Sequence, residues 1–318
     1  MNDHNEAISN TPYDDAFRTL VTKGGNLIIP FINEMFRGER PVKMNASIVH
    51  EANEQFLNLE KGKQDKYQTD SMITIDGELY HIECQTRDDG TILVRIAKYY
   101  WLEAMRNSRV EGDTIHIPLP YSGILYLRKT PQTPEKMFVH YYDNYGNDLK
   151  YPVKVINLAD YTLDELIEKN LTFLLPFYLF NLEDNLKDYN KEASREKIIT
   201  FYDELFQYLN KLREQEKLNV YQYSLITDML RKVTDNLAQS NERARKELDE
   251  FMGGKILEFN NERLLNEGGI KDLLSLVHDG LLNADVAADR AAKEYGISKE
   301  DFKKRLDSYQ PNDELMQG

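Results

Sequence analysis

The chain has 318 residues, 41% hydrophobic and 30% charged, with a net charge of −14, enough for one large or two modest domains with a real core. No run approaches the ~18 consecutive apolar residues of a membrane span, and the polar, acidic start MNDHNEAISNTPYDD has neither the basic nor the apolar region of a signal peptide, so a cytoplasmic protein without a membrane partner is expected. One cysteine, Cys84, and six scattered histidines exclude an internal disulfide and a zinc site of the usual spacing, which leaves carboxylate oxygen, and hence Mg²⁺ or Mn²⁺, for any metal.

In chain order, Thr11 is a helix N-cap with Pro12 at the first helical position. Phe17, Leu20, Val21, Leu27, Ile28, Phe31, Ile32, Met35 and Phe36 follow at helical spacing. Gly24-Gly25 interrupts that stripe at ~1 kcal/mol per glycine, and a break is expected there. Residues 42–59 show no clear pattern, and 60–66 read as a polar linker. The clearest element is a hairpin: DSMITI (70–75) and ELYHIECQ (78–85) flank Asp76-Gly77, a pair that favours a two-residue type I′ turn.

A helix then carries Ile92, Ile96, Tyr99, Tyr100 and Ala104 on one face, with Asp88-Asp89 near its positive end. Strands are expected at 122–128, 136–142 and 151–158, the last two joined by a turn at Asn144–Asn147. From about residue 160 the chain turns to helices rich in Lys, Glu and Leu. Ile198 to Leu212 mark one helix, Tyr223 to Leu237 another, and residues 284–306 read as helix, glycine turn, helix. That last piece has the outline of a DNA-reading helix-turn-helix, but its nearly balanced charges favour a plain helical hairpin. The expected domains are thus 12–160, mixed α/β, and 161–318, helical.

A two-residue turn at Asp76-Gly77 sets Ile75 opposite Glu78, Ile73 opposite Tyr80 and Asp70 opposite Glu83. Directly opposed partners have Cβ atoms ~4.5–5.5 Å apart. Ser71, Ile73, Ile75, Tyr80, Ile82 and Cys84 then form an apolar face, and Asp70, Met72, Thr74, Leu79, His81, Glu83 and Gln85 the other. A four-residue loop keeps this register, whereas a three-residue loop brings Asp70 opposite Cys84. Opposed carboxylates repel unless a shared proton, a basic neighbour or a divalent cation offsets them. The cation makes functional sense, since Asp70 and Glu83 would chelate it with Gln85 on the same side. Lys66 or Arg87 screening an exposed acidic pair is the plainer reading. Arg95 reads as an ordinary surface ion-pair partner, with Glu83 or a phosphate as its other targets. Glu54 reads as exposed rather than as an extra ligand, His81 as a cross-strand packing residue, and Cys84 as an inert core thiol. The 20 tyrosines are better explained by packing than by base stacking.

Asp70, twelve intervening residues, then Glu83-Cys84-Gln85 resembles the D…E-x-K core of PD-(D/E)XK nucleases, with Gln in the lysine position. YHIECQTRDDGTILVRIAKYY (80–100), with Arg95 and Tyr99 as R-x-x-x-Y, resembles the recombination-promoting nuclease/putative transposase family; so do residues 117–147 and LLPFY (174–178). The resemblance covers roughly residues 15–180. It implies a restriction-endonuclease-like α/β core of helix, three-stranded meander, helix and strand. It further implies Asp70, Glu83 and Gln85 as catalytic residues, and Mg²⁺ (or Mn²⁺) on Asp70, Glu83 and the backbone carbonyl of Cys84. The implied activity is DNA endonuclease linked to recombination or mobile elements, and cutting both strands with one site per chain favours a homodimer. Gln85 orients a water but carries no charge and is no general base, so an inactive nuclease-fold module that binds nucleic acid or assembles through its helical tail is the alternative. The charge of −14 counts against a broad DNA-binding face, though not against a small one centred on a cation.

Overall fold

The computed structural model describes residues 12–36, 41–50, 54–58, 64–68, 71–87, 90–278 and 280–309; the side chains of 54–58, 64–68 and 258–267 are outside that description. The chain opens with α1 (Pro12–Lys23), a 3-10 turn (Gly25–Ile28) and α2 (Ile29–Phe36). The break falls at the two glycines. A side chain on Gly24 would place its Cβ 2.4 Å from the Leu20 carbonyl oxygen, and Gly25 has φ +61°. Next come β1 (Ile48–His50), β2 (Glu54–Asn58), β3 (Gln64–Gln68), β4 (Ser71–Ile75) and β5 (Glu78–Gln85). β3 therefore takes up part of the segment expected as a linker, and β1 and β2 lie in the stretch that showed no pattern.

Helix α3 (Ile92–Arg106) leads to a small hairpin, β6 (Arg109–Glu111) with β7 (Thr114–His116), and then to β8 (Tyr121–Tyr126), β9 (Met137–Tyr142) and β10 (Asp148–Asn157). The remainder is helical: α4 (Leu163–Glu168), a 3-10 stretch (Thr172–Leu182), α5 (Glu183–Lys187), α6 (Glu192–Glu214) and α7 (Val220–Leu237). It continues through α8 (Glu242–His278), α9 (Ala284–Tyr295) and α10 (Lys299–Asp307). Among the described residues, no helix is long and apolar enough to cross a membrane.

The main sheet is mixed and six-stranded, in the order β1-β4-β5-β8-β10-β9. β1, β4 and β5 form an antiparallel meander, β5 and β10 both run parallel to β8, and β9 returns antiparallel to β10. At the β4–β5 turn Asp76 has φ 48° and Gly77 φ 87°, the paired left-handed conformation of a type I′ turn. The register runs from Ile75↔Glu78 to Ser71↔Ile82, as expected from a two-residue loop.

Contrary to the expected apolar/polar division, both hairpin faces are buried: Met72, His81 and Glu83 on one, Ile73, Ile82 and Cys84 on the other. The physical reason is the parallel neighbour β8, which makes β5 a central strand with helices on both sides. On the Glu83 side, Ile92 and Ile96 of α3 pack with Ile124, Tyr126 and Val153 of the sheet. On the other side α2 presses close, so that a Cβ on Gly123 of β8 would lie 2.2 Å from the Met35 sulfur.

The contacts divide the chain into two compact units, Met1–Asp249 and Glu250–Gly318, rather than at residue 160. Within the first unit, Phe173 of the 3-10 stretch stacks on Phe31 of α2 and meets Phe17 of α1 edge-on, each at 5.5 Å between centroids. α1 and α2 thus bury one side against the sheet and the other against helices from beyond residue 160. In the second unit Ile270, Leu273 and Leu274 of α8 pack with Ala287, Ala288 and Ala291 of α9 and Phe302 of α10, and Gly296 ends α9 in the left-handed conformation.

An ion pair ties the sheet to the helices of the first unit. Arg128, just past β8, donates to Glu183 at 2.6 Å and lies over the Phe180 ring. Burial pushes the Glu183 carboxyl up, but Arg128 and Lys187 outweigh it and hold it below the usual glutamate value. A carboxyl depressed in the folded state contributes stability above its unfolded pKa and loses it as pH falls through its folded pKa. Arg128→Met is therefore expected to flatten the acid limb of a stability-against-pH curve from urea unfolding. Identical acid slopes for the two proteins would show that the pair contributes nothing.

Candidate functional site

β5 alternates its side chains, so His81, Glu83 and Gln85 share the α3 face while Tyr80, Ile82 and Cys84 take the α2 face. Cys84 is a buried free thiol, as expected. Across the parallel ladder Glu83 stands beside Ile124, an aliphatic neighbour, and Gln85 beside Tyr126.

Glu83 is 1% exposed, and a carboxylate there needs compensation. Two partners supply it. His81 Nε2 lies 2.9 Å from Glu83 Oε1, and an Arg95 Nη lies 3.3 Å from Oε2. Arg95 sits one turn into α3, three residues after the buried Ile92, a spacing that brings it round to the sheet. One turn further, Tyr99 meets the His81 ring edge-on at 5.7 Å between centroids. The R-x-x-x-Y of α3 thus addresses the His-x-Glu of β5 residue by residue.

These contacts revise two expectations. Arg95, expected as an ordinary surface pair, holds a buried acid while its own side chain stays 34% exposed. His81 does pack, but it also hydrogen-bonds Glu83. With Nε2–H donating to the carboxylate, the neutral ring presents Nδ1 as an acceptor, and that buried atom has no hydrogen-bond partner among the described residues. The signal for this network was a His and a Glu two apart on one strand face, followed by Arg and Tyr four apart on the next helix.

Gln85 is half-buried at the end of β5, and its backbone carbonyl accepts from Leu127 N–H at 2.8 Å, toward β8. Carbonyls alternate along a strand, so that of Cys84 is directed to the β4 side. The described β4–β5 pairing ends at Ser71↔Ile82. Asp70, the expected partner of Glu83, lies outside the described residues, as do Asp88, Asp89 and the side chains of Glu54 and Lys66. Of the basic residues considered against Glu83, the structure brings Arg95.

Mg²⁺ and Mn²⁺ take oxygen ligands. Glu83 offers a carboxylate of suitable chemistry, and Gln85 offers an amide oxygen. Among the described residues no group of three or more His, Cys, Asp or Glu is gathered to hold a metal. Compared with protein-family models, with curated proteins and with solved structures, the chain matches none.

Proposed function

We propose that this chain is a Mg²⁺-dependent DNA endonuclease whose metal is held by Asp70, Glu83 and the Cys84 carbonyl. The observation that carries the proposal is Glu83, a carboxylate fixed on a central strand by His81 and Arg95 with Gln85 on the same face. The order α2, antiparallel meander, α3, parallel strand β8 agrees with the arrangement that the nuclease resemblance implies. A link to recombination or mobile elements rests on that resemblance. A bound Mg²⁺ would supply a Lewis acid at the scissile phosphate and an acidified water. Glu83 keeps its position through a hydrogen bond with His81 and an ion pair with Arg95. Gln85 accepts from a water through its amide oxygen and so orients it, without removing its proton. Arg95, partly open to solvent, brings positive charge to within reach of a phosphate.

One observation favours a catalytically silent nuclease-fold module that binds nucleic acid or assembles with partners. Arg95 already neutralises Glu83, and Gln85 adds no charge where the superfamily has lysine. Plasmid incubated with Mg²⁺ or Mn²⁺ separates the readings. Nicking by wild type that Asp70→Ala abolishes is the expected result. Equal nicking by both proteins, or none by either across both metals, removes the catalytic reading. In the second case, failure to bind millimolar Mn²⁺ leaves the module.

A further inference from the structure

We infer that the chain forms a two-fold dimer by pairing the outer edge of β9 with the same edge of a second copy. β9 ends the sheet, and among the described residues no strand pairs with its far side. Natural edge strands are usually guarded by lysine, proline, a bulge or a covering segment, because an open ladder recruits other strands. The run Met137–Tyr142, MFVHYY, has no lysine, arginine, acid or proline of its own, in a chain that is 30% charged; His140 lies 3.2 Å from the Asp148 carboxylate and Lys150 of β10 over the Phe138 ring. Phe138 is 41% exposed and Tyr142 77%.

The ladder phase fixes which groups face outward. Asp143 N–H donates to the Asn147 carbonyl, which makes residues 143 and 147 a hydrogen-bonded pair at the turn. Counting back two at a time, Tyr141, Val139 and Met137 bond to β10, while Phe138, His140 and Tyr142 turn their N–H and C=O groups outward. Pro152, opposite Phe138, agrees with this phase, since it has no N–H to give to β9.

Self-pairing of these outward groups suits an antiparallel register centred on His140, with Phe138 opposite Tyr142 of the second copy. That register joins two aromatic side chains across the strands twice over. It also keeps like faces together, so both α3 layers lie on one side of a continuous sheet. Lys136 just before β9 and Asp143 just after it give the strand opposite charges at its two ends. Antiparallel pairing sets each beside its opposite in the second copy, whereas parallel pairing would set like by like. The α3 side of the edge carries a further apolar group, Trp101, 48% exposed and 6.0 Å from the Tyr141 ring. A second copy is the occupant that satisfies strand, charge and flank together.

The register makes the test specific. Opposed hydrogen-bonded residues have Cα atoms about 5.5 Å apart, within disulfide reach. His140→Cys is expected to give a covalent dimer on mild oxidation. Tyr145→Cys, 93% exposed in the loop beyond the strand, is expected to give none. The native thiol, Cys84, is 1% exposed and does not compete. Sedimentation should find wild type at twice the monomer mass. A Phe138→Lys, Tyr142→Lys double variant should sediment as monomer with unchanged far-ultraviolet circular dichroism and a red-shifted emission from Trp101, the single tryptophan. A wild-type monomer at all concentrations overturns the inference, even if its edge takes up an added peptide or single-stranded oligonucleotide. So does a dimer that survives the double variant, or one in which His140→Cys fails to cross-link. None of these outcomes depends on whether the chain cleaves DNA.

Discussion

Glu83→Ala is expected to lower unfolding stability by about 3 kcal/mol and to abolish the metal-dependent cleavage proposed above in the same protein. The alanine leaves a void and removes the hydrogen-bond partner of His81 and the ion-pair partner of Arg95. Arg95 is partly exposed and turns to water, which places the loss at the low end for a broken buried pair. His81 is fully buried and has no such escape. Glu83→Gln separates the two effects. It keeps the shape and one acceptor oxygen, so the expected stability loss shrinks to about 1 kcal/mol, while the charge that attracts a divalent cation is gone. Urea unfolding beside Mn²⁺ titration reads both. A Glu83→Gln protein that binds Mn²⁺ and cleaves like wild type would place the metal elsewhere. A Glu83→Ala protein of unchanged stability would mean that the ion-pair network offsets only its own burial.

Ending the chain after Asp160 is expected to leave no cooperatively folded protein, whereas ending it after Asp249 is expected to retain one. The boundary near residue 160 follows a change of composition, but the core crosses it. Phe17, Leu20, Phe31 and Ile32 of α1 and α2 are at most 1% exposed, and Phe17 and Phe31 lie against Phe173. Uncovering a buried aliphatic or aromatic side chain costs about 1.5–3 kcal/mol. Four such residues reach the roughly 5–15 kcal/mol that separates a folded domain from its unfolded chain. Truncation also removes the Glu183 partner of Arg128. Urea titration followed by circular dichroism decides the matter. A sharp transition in the 1–160 fragment would show that the helices beyond it are dispensable.

Local features of this fold are legible in the sequence because they depend on neighbours a few residues away. Asp76-Gly77 specifies a turn that needs two left-handed residues, and the turn then fixes the register of β4 on β5. The stripe from Ile92 to Ala104 specifies α3, and the stripes of α6 and α7 are as plain. What sequence alone missed depends on pairing across long separations. The alternation of β5 gives the right face for each residue but not which face meets water, because nothing local announces β8 as a parallel neighbour. Lys- and Glu-rich helices beyond residue 160 read as a separate region because their apolar stripes find their match in α1 and α2, more than a hundred residues earlier. The hairpin of β6 and β7 is short and wholly exposed, so it leaves no hydrophobic period. Around Glu83, the contacts of Arg95 and His81 are not legible in the sequence. A charge-bearing helix position looks like a surface position until the facing strand is known.

The crossover from β5 through α3 to β8 governs when the site forms during folding. A two-residue hairpin closes within microseconds, but Glu83 pairs with Ile124, 41 positions on. Bringing such distant segments together costs chain entropy before any contact rewards it, which slows folding. The hairpin bearing Glu83 is therefore expected to form before its own enclosure, with docking of α3 supplying Arg95 as counter-charge. On that order, desolvation of the carboxylate and its pairing with Arg95 would coincide.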